Sequence, residues 1–174
     1  MKAMLFTAVL FTALASTAHA SNRVALLLSG YDNAVSASEL ASVSDDPVAD
    51  LIAAGNDENA SILARGRAVQ LLGRFNQPRA HAALLAFSGH GIPLLRVRSL
   101  KALNLLASSD ASFAARTDVQ SVLSARLNDT DVSVRLQAVR AMAVVPALRL
   151  VLAQHMQVEQ ESRVRDLTGE LLSK

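Results

Sequence analysis

The sequence predicts an all-α protein in which about four helical hairpins repeat along the chain, and three observations support this prediction. Hydrophobic residues make up 51% of the 174 residues, but aromatic residues only 3%, and Trp is absent. The apolar content is mainly Leu, Ala and Val, which suits helices better than a sandwich or barrel rich in aromatic side chains. A pattern centred on an arginine recurs four times, and each of the four prolines lies where a helix is expected to begin.

The first element, residues 1–20, has the three parts of a secretory signal in the right order. Lys2 supplies a positive charge, residues 3–16 are apolar or small, and an Ala-His-Ala triplet ends at Ala20. The apolar stretch is shorter than the ~20 residues that a transmembrane helix needs. We therefore expect cleavage after Ala20 and an exported protein, periplasmic or extracellular, without stable membrane insertion. A cut after Ala15 and an uncleaved N-terminal anchor are the alternatives.

The next segment, residues 21–44, is predicted to cap the repeats irregularly. Residues 24–28 are apolar, and Ser36 with Glu39 three residues later is a capping box that opens a short helix. Residues 21–60 contain seven acidic residues and one basic residue, whereas 15 basic and 8 acidic residues follow from Ser61 onward. The expected mature chain therefore changes from acidic to basic along its length.

Residues 45–174 are the predicted repeat domain, in which four segments share the pattern apolar-Arg-x-x-small-apolar-x-x-apolar. The motif arginines are Arg65, Arg96, Arg135 and Arg165. Their spacings of 31, 39 and 30 residues are typical of a solenoid of two-helix units. At 100° per residue, offsets −1, +3, +4, +6 and +7 from the arginine fall on one face, which predicts the buried face of each second helix. In the third unit these offsets hold Val134, Ala138, Val139, Ala141 and Met142.

The prolines locate the beginnings of helices, because proline has no N–H to lose in the first turn. The predicted first helices of the units are residues 47–54, 78–87, 118–127 and 146–156. Asp46 and either Thr130 or Asp131 are expected to be N-caps. Residues 108–116 lengthen the second spacing, and we expect a loop or a short extra turn there, anchored by Phe113.

The best-preserved unit resembles a HEAT repeat of the short, phycobilisome-lyase-like type. Residues 128–142 have the acidic turn, then Val134-Arg135, then Ala138, then Ala141-Met142. The resemblance extends over about residues 45–174, although the fourth unit has Thr168-Gly169 where an alanine and an aliphatic residue are typical. It implies an exported bacterial member of the HEAT-repeat family, a right-handed α-solenoid of antiparallel helix pairs whose second helices line the concave face.

The four motif arginines are interpreted as structural, because they flank the apolar face. We expect them to pair with turn carboxylates such as Asp131 and Glu161, or with carbonyls at helix C-termini. An anion-binding site made by these arginines is the alternative.

A second set of basic residues, which we call the basic strip, is the candidate binding site. It lies at offsets +2 and +5, which are predicted to point away from the core, and consists of Arg67, Arg98, Lys101 and Arg140. In the stack that the resemblance implies, these side chains would line the concave face. The planar guanidinium suits carboxylates, so we expect a protein or peptide partner of acidic character. The acidic N-terminal segment of the same chain and an ordinary solvated face are the alternatives.

The sequence contains no catalytic constellation. The absence of Cys excludes disulfides, thiolate metal sites and cysteine catalysis. His81 and His90 lack a carboxylate pair at ligand spacing, and the scarcity of aromatic residues argues against stacking on nucleic acid. We expect no metal, no cofactor and no nucleic-acid partner, and predict a non-enzymatic scaffold. An envelope enzyme or metal-binding protein that uses His81 or His90 is the alternative.

Overall fold

The computed structural model describes residues 24–28 and 35–174, which fall into two compact units divided between Ala68 and Val69. The predicted signal, its cleavage site and parts of the N-terminal cap (residues 21–23 and 29–34) lie outside the described residues. The regular elements in the described part of the chain are all helices, without any strand. The predicted all-α class is confirmed.

The helices occur in the order that the prolines and repeats predict, after a short helical segment at residues 24–28. They are α1 (Ala37–Val43), α2 (Pro47–Asn56), α3 (Ile62–Leu71), α4 (Pro78–Phe87), α5 (Pro93–Ser109), α6 (Ala111–Ala114), α7 (Thr117–Ala125), α8 (Val132–Ala143), α9 (Arg149–Met156) and α10 (Ser162–Leu172). Short 3-10 turns follow at Leu72–Arg74, Arg126–Asn128 and Pro146–Leu148. The predicted pairs correspond to α2–α3, α4–α5, α7–α8 and α9–α10.

In the first unit, capping side chains determine where the helices begin. The predicted capping box is present, since Ser36 Oγ accepts from the Glu39 amide at 3.1 Å and Glu39 Oε2 accepts from the Ser36 amide at 2.7 Å. Asp46 Oδ1 accepts from the Ala49 amide at 3.0 Å, which confirms it as the N-cap of α2. These bonds satisfy amide groups that have no partner inside the helix.

In the second unit, the second helices of the pairs pack side by side. Helix α8 lies against α5 and α10, while α4 packs on α5, α7 on α8, and α9 on both α8 and α10. The predicted buried face is confirmed in the third repeat, where Val134, Ala138, Val139, Ala141 and Met142 are all fully buried. A small residue such as Ala138 at the centre of this face allows the neighbouring helices to approach closely.

The insertion between the second and third repeats forms the short extra turn that was one of the two expectations. Helix α5 continues to Ser109, and Asp110 then caps α6 by accepting from the amides of Ser112 (2.9 Å) and Phe113 (3.1 Å). Hydrogen bonds, led by that from the Ser112 hydroxyl, lower the pKa of Asp110 to about 2. Phe113 is 2% exposed and anchors the insertion, as predicted.

Within the described residues, none of the helices is both long enough and apolar enough to cross a bilayer.

Candidate functional site

The motif arginines join the turns of neighbouring repeats. Arg96 Nη1 donates to the carbonyl oxygens of His90 (2.9 Å) and Gly91 (3.1 Å), in the turn before its own helix. Its Nη2 atom donates to Asp129 Oδ1 at 2.7 Å, in the turn before α8. The Arg96 side chain is almost fully buried, so one guanidinium ties two successive turns together away from solvent.

Arg135 repeats this arrangement one unit further along. Its Nη1 atom donates to Asp129 O at 2.9 Å, and its Nε and Nη2 atoms donate to the two carboxylate oxygens of Glu159 at 2.9 and 3.0 Å. His155 Nε2 lies 3.1 Å from the same carboxylate. Burial disfavours the ionised form of Glu159, but hydrogen bonds, chiefly from Arg135, outweigh burial and lower its pKa to about 2.

The first and fourth motif arginines also bind main-chain oxygens. Arg65 Nε donates to Gly55 O at 3.1 Å near the end of α2, and Arg165 Nη1 donates to the carbonyl oxygens of Glu159 and Gln160, both at 2.8 Å. All four motif arginines therefore bind main-chain carbonyl groups. Arg65 does so near a helix C-terminus, as predicted, whereas the other three bind carbonyls in the turns before helices.

The carboxylates that pair with the motif arginines are not the predicted ones. Asp131 Oδ1 accepts from the amides of Ser133 (2.8 Å) and Val134 (3.1 Å) as the N-cap of α8, and Glu161 pairs with Arg163. The observed partners, Asp129 and Glu159, each lie two residues earlier. The Asp131 carboxylate caps its own helix and the Glu161 carboxylate binds an arginine of its own helix, whereas a carboxylate at the start of the turn faces the arginine of the preceding repeat.

A regular spacing in the sequence marks these partners. Asp129 and Glu159 both lie six residues before a motif arginine, and the same position is Asn59 in the first repeat and His90 in the second. His90 keeps the main-chain role of this position, because its carbonyl accepts from Arg96. The spacing of six therefore identifies the turn position, and the residue type decides whether it carries a charge.

The offset +5 position of the second helices is exposed in every repeat. It holds Gln70, Lys101, Arg140 and Glu170. Lys101 on α5 and Arg140 on α8 form no hydrogen bond or ion pair with any described residue. Since α5 and α8 are packed against each other, the two side chains occupy equivalent exposed positions on neighbouring helices.

The offset +2 position is partly inside the fold, contrary to the prediction. Gln137 is only 4% exposed, because α8 is packed between α5 and α10. Arg67 is half-buried and donates to Leu28 O at 2.9 Å, and the half-buried Arg98 donates to Gln70 Oε1. Arg67 belongs to the first unit and the other three residues of the basic strip to the second, so the binding role of the whole strip stays a prediction.

Two basic residues outside the repeat motif, Arg149 and Lys174, were missed at the sequence level. They line a cleft of about 390 Å³ together with Arg140, and we call this the basic cleft. Arg149 follows a 3-10 turn and Lys174 follows α10, at positions where the motif sets no residue type. The offsets counted from the motif arginines therefore gave no signal for either residue.

His81 and His90 do not form a common site. The His81 ring packs on Phe113 with centroids 4.5 Å apart, and its Nδ1 lies 3.2 Å from Arg116 Nη1. Burial and the charge of Arg116 lower the pKa of His81. His90 Nδ1 accepts instead from the Ile92 amide at 3.0 Å. The described residues contain no group of three or more His, Asp and Glu side chains arranged to hold a metal ion.

Residues 101–137 match the family described as a HEAT repeat associated with sister chromatid cohesion. This part of the chain resembles a HEAT repeat. The match begins in α5 and ends in α8, so it includes the α7–α8 hairpin up to Gln137 and supports the HEAT-like character of the helical pairs. The finer resemblance to the phycobilisome-lyase-like type stays a prediction. None of the curated proteins compared with the chain matches it significantly.

Proposed function

We propose that the protein is an exported, non-enzymatic scaffold that binds a protein or peptide partner of acidic character on the exposed surface of its second helices. HEAT-like pairs suit this role because repetition builds an extended, preformed surface. The observation that carries the proposal is the pair Lys101 and Arg140, two exposed cations at equivalent positions of packed helices without an ionic partner in the described residues.

The chemistry of this surface favours a partner with carboxylates over one with aromatic or apolar groups alone. Two cations on adjacent helices reinforce each other's field, which raises the association rate with an acidic surface and makes binding sensitive to salt. Exposed charges contribute little to the stability of the fold. Their placement without partners among the described residues therefore fits a role in binding better than a role in folding.

The proposal is tested by photo-crosslinking in cells that produce the protein. A photoreactive amino acid at Leu105, which is 51% exposed and one helical turn after Lys101, samples the proposed surface. The same group at the exposed Ala82, on a first helix, is the matched control. We expect a discrete protein adduct from position 105, weaker at high salt, and none of that mass from position 82.

Charge variants complete the test. The double variant Lys101→Gln with Arg140→Gln is expected to reduce the adduct from position 105 by about tenfold, since each lost charge contact weakens binding by a few-fold to tenfold. The double variant Arg79→Gln with Arg163→Gln removes two exposed charges elsewhere and should leave the adduct unchanged. Equal adducts from both positions, or equal loss in both double variants, would refute the proposal.

A further inference from the structure

The basic cleft in the second unit combines three cations with an apolar floor. Arg140 on α8, Arg149 at the start of α9 and Lys174 after α10 stand around it, and Val144, Leu167 and Leu171 supply apolar surface. Its volume of about 390 Å³ lies at the lower end of the range of about 300–1,000 Å³ that is typical of ligand pockets. The cleft therefore has room for a side chain or two of a partner, not for a folded element.

The cations of the basic cleft are incompletely neutralised. Arg149 Nη2 donates to Leu172 O at 2.6 Å, a bond that orients the guanidinium without cancelling its charge. Lys174 pairs with Glu170 at 2.7 Å, where both side chains are largely exposed and the pair is weak. Arg140 has no ionic partner among the described residues. The rim of the cleft thus keeps an excess of positive charge.

The apolar surface continues beyond the basic cleft on the other side of Val144. A second cleft of about 650 Å³ shares Val144 with the first and is lined mostly by small apolar residues, among them Ala114, Val145 and Pro146. Val144 is 39% exposed, so an apolar side chain remains uncovered where the two clefts meet. Along this surface, positive charge lies at one end and apolar groups at the other.

We propose that the two clefts together bind a protein segment in which acidic residues precede or follow an aliphatic stretch. The acidic residues would pair with Arg140 and Arg149, and an aliphatic side chain would cover Val144. This inference rests on the proposed scaffold function and names the chemistry of the segment that is held.

A segment of polypeptide fits better than a membrane surface, because the apolar atoms lie in recesses that a flat bilayer does not enter. It fits better than a nucleotide, because the lining contains no aromatic ring for a base to stack on.

The test uses the purified protein and a short synthetic peptide in which several glutamates are followed by several leucines, with binding measured by fluorescence anisotropy. Two control peptides replace the glutamates by glutamine or the leucines by serine. We expect binding of the glutamate–leucine peptide, and affinity at least about tenfold lower for each control, since both the charge and the apolar contact contribute. If the serine control binds as tightly as the glutamate–leucine peptide, binding depends on charge alone, and the proposal is overturned.

Two variants separate this inference from the proposed function, because both leave Lys101 and Arg140 intact. Arg149→Gln and Val144→Ser should each weaken peptide binding by about tenfold, while Arg163→Gln, an exposed arginine at the start of α10, should not. Circular dichroism melts verify that the variants fold. If Arg149→Gln and Val144→Ser bind the peptide normally while the adduct from position 105 still depends on Lys101 and Arg140, the cleft is not the site and the scaffold proposal stands.

A last experiment measures binding of the protein to anionic vesicles of phosphatidylserine and phosphatidylcholine. Binding to vesicles that equals binding to the peptide, and that falls with the same two variants, would assign the clefts to lipid and overturn the peptide proposal. Weak vesicle binding that is indifferent to Arg149→Gln and Val144→Ser supports the proposal.

Discussion

At the scale of single residues, burial determines which helical positions of the repeat tolerate a charged side chain. Ala138 is fully buried at the centre of α8, between the helices α5 and α10. Ala82 on α4 is also in a helix, but it is exposed to solvent. The same substitution at the two positions therefore separates the effect of burial from the effect of helix propensity.

Ala138→Asp is expected to unfold the protein or nearly so. A carboxylate there would have neither solvent nor a partner, and burying such a group costs several kcal/mol against a typical stability of about 5–15 kcal/mol. Ala82→Asp should shift the melting temperature only slightly, because its carboxylate remains hydrated. Thermal melts followed by circular dichroism measure both, and equal melting temperatures for the two variants would show that the helix phase is wrong.

The buried pair of Arg135 and Glu159 makes the stability of the protein depend on pH. The pKa of Glu159 is about 2 in the folded state, well below the ordinary value near 4.5. The unfolded chain therefore binds a proton at higher pH than the folded one, so the stabilisation is complete above about pH 5 and is lost as the pH falls toward 2. A shift of this size corresponds to about 3 kcal/mol at neutral pH.

Glu159→Gln should lower stability at pH 7 and flatten its acid dependence. The variant leaves the Arg135 guanidinium buried without a carboxylate, which is costly at neutral pH. Urea unfolding between pH 7 and pH 2 should show a smaller loss of stability in the variant than in the unmodified protein. Asp166→Asn, at an exposed position of α10, is the control. An acid dependence in Glu159→Gln that runs parallel to that of the unmodified protein contradicts the prediction.

At the scale of elements, close backbone contacts determine how helices stack. The 3-10 turn Leu72–Arg74 packs against α5, and a Cβ atom on Gly73 would lie 2.7 Å from Ala102 Cβ and 2.8 Å from Ala102 Cα. Gly91, in the turn before α5, has open space around the same position. Gly73 is therefore needed for the approach of two elements, whereas Gly91 is not constrained in this way.

Gly73→Ala is expected to destabilise the protein by about 1–3 kcal/mol, the usual cost of overpacking a close contact. The atoms in the way belong to the backbone and Cβ of Ala102, so relief requires a shift of the turn or of α5. Gly91→Ala should have little effect. Denaturant unfolding gives the free energies, and a Gly73→Ala variant as stable as Gly91→Ala would contradict the packing described.

At the scale of the whole molecule, the chain changes character along its length. Seven acidic residues and one basic residue lie between residues 21 and 60, and the later repeats are basic. The predicted signal precedes both parts. If the protein is exported as proposed, its basic surfaces meet partners outside the cytoplasm, where the acidic partner that we propose must also be found.

The exported form is expected to begin at Ser21. The Ala-His-Ala triplet places small residues at the two positions that signal peptidase reads, so replacing Ala18 and Ala20 by leucine should block processing. N-terminal sequencing of protein from the extracytoplasmic fraction measures the outcome. Full-length protein that retains Met1 in the membrane fraction would show that the segment is an anchor, and a start at Ser16 would show the earlier cut.

Local interactions were sufficient for the sequence alone to determine the helices. The apolar phase of the second helices, the capping box at Ser36, the N-cap Asp46 and the prolines at helix starts all act within one or two turns of chain. For α8 the sequence leaves Thr130 and Asp131 as alternative N-caps, and the structure shows Asp131. Each of these predictions could therefore be made from neighbouring residues. For the insertion around Phe113 the sequence predicts an anchoring role for that side chain but leaves a loop and a short extra turn as alternatives, and the structure shows the turn.

Contacts between repeats were decided by the tertiary structure. Which carboxylate pairs with a motif arginine depends on how far one turn is displaced from the next. Because of that displacement, Asp129 and Glu159 form the pairs, and Asp131 and Glu161 do not. The burial of Gln137 depends on the helices on either side of α8, and the lining of the basic cleft comes from α5, α8, α9 and α10. Helix periodicity specifies one face of one helix, whereas these features arise from the distance and angle between helices, which no short pattern encodes.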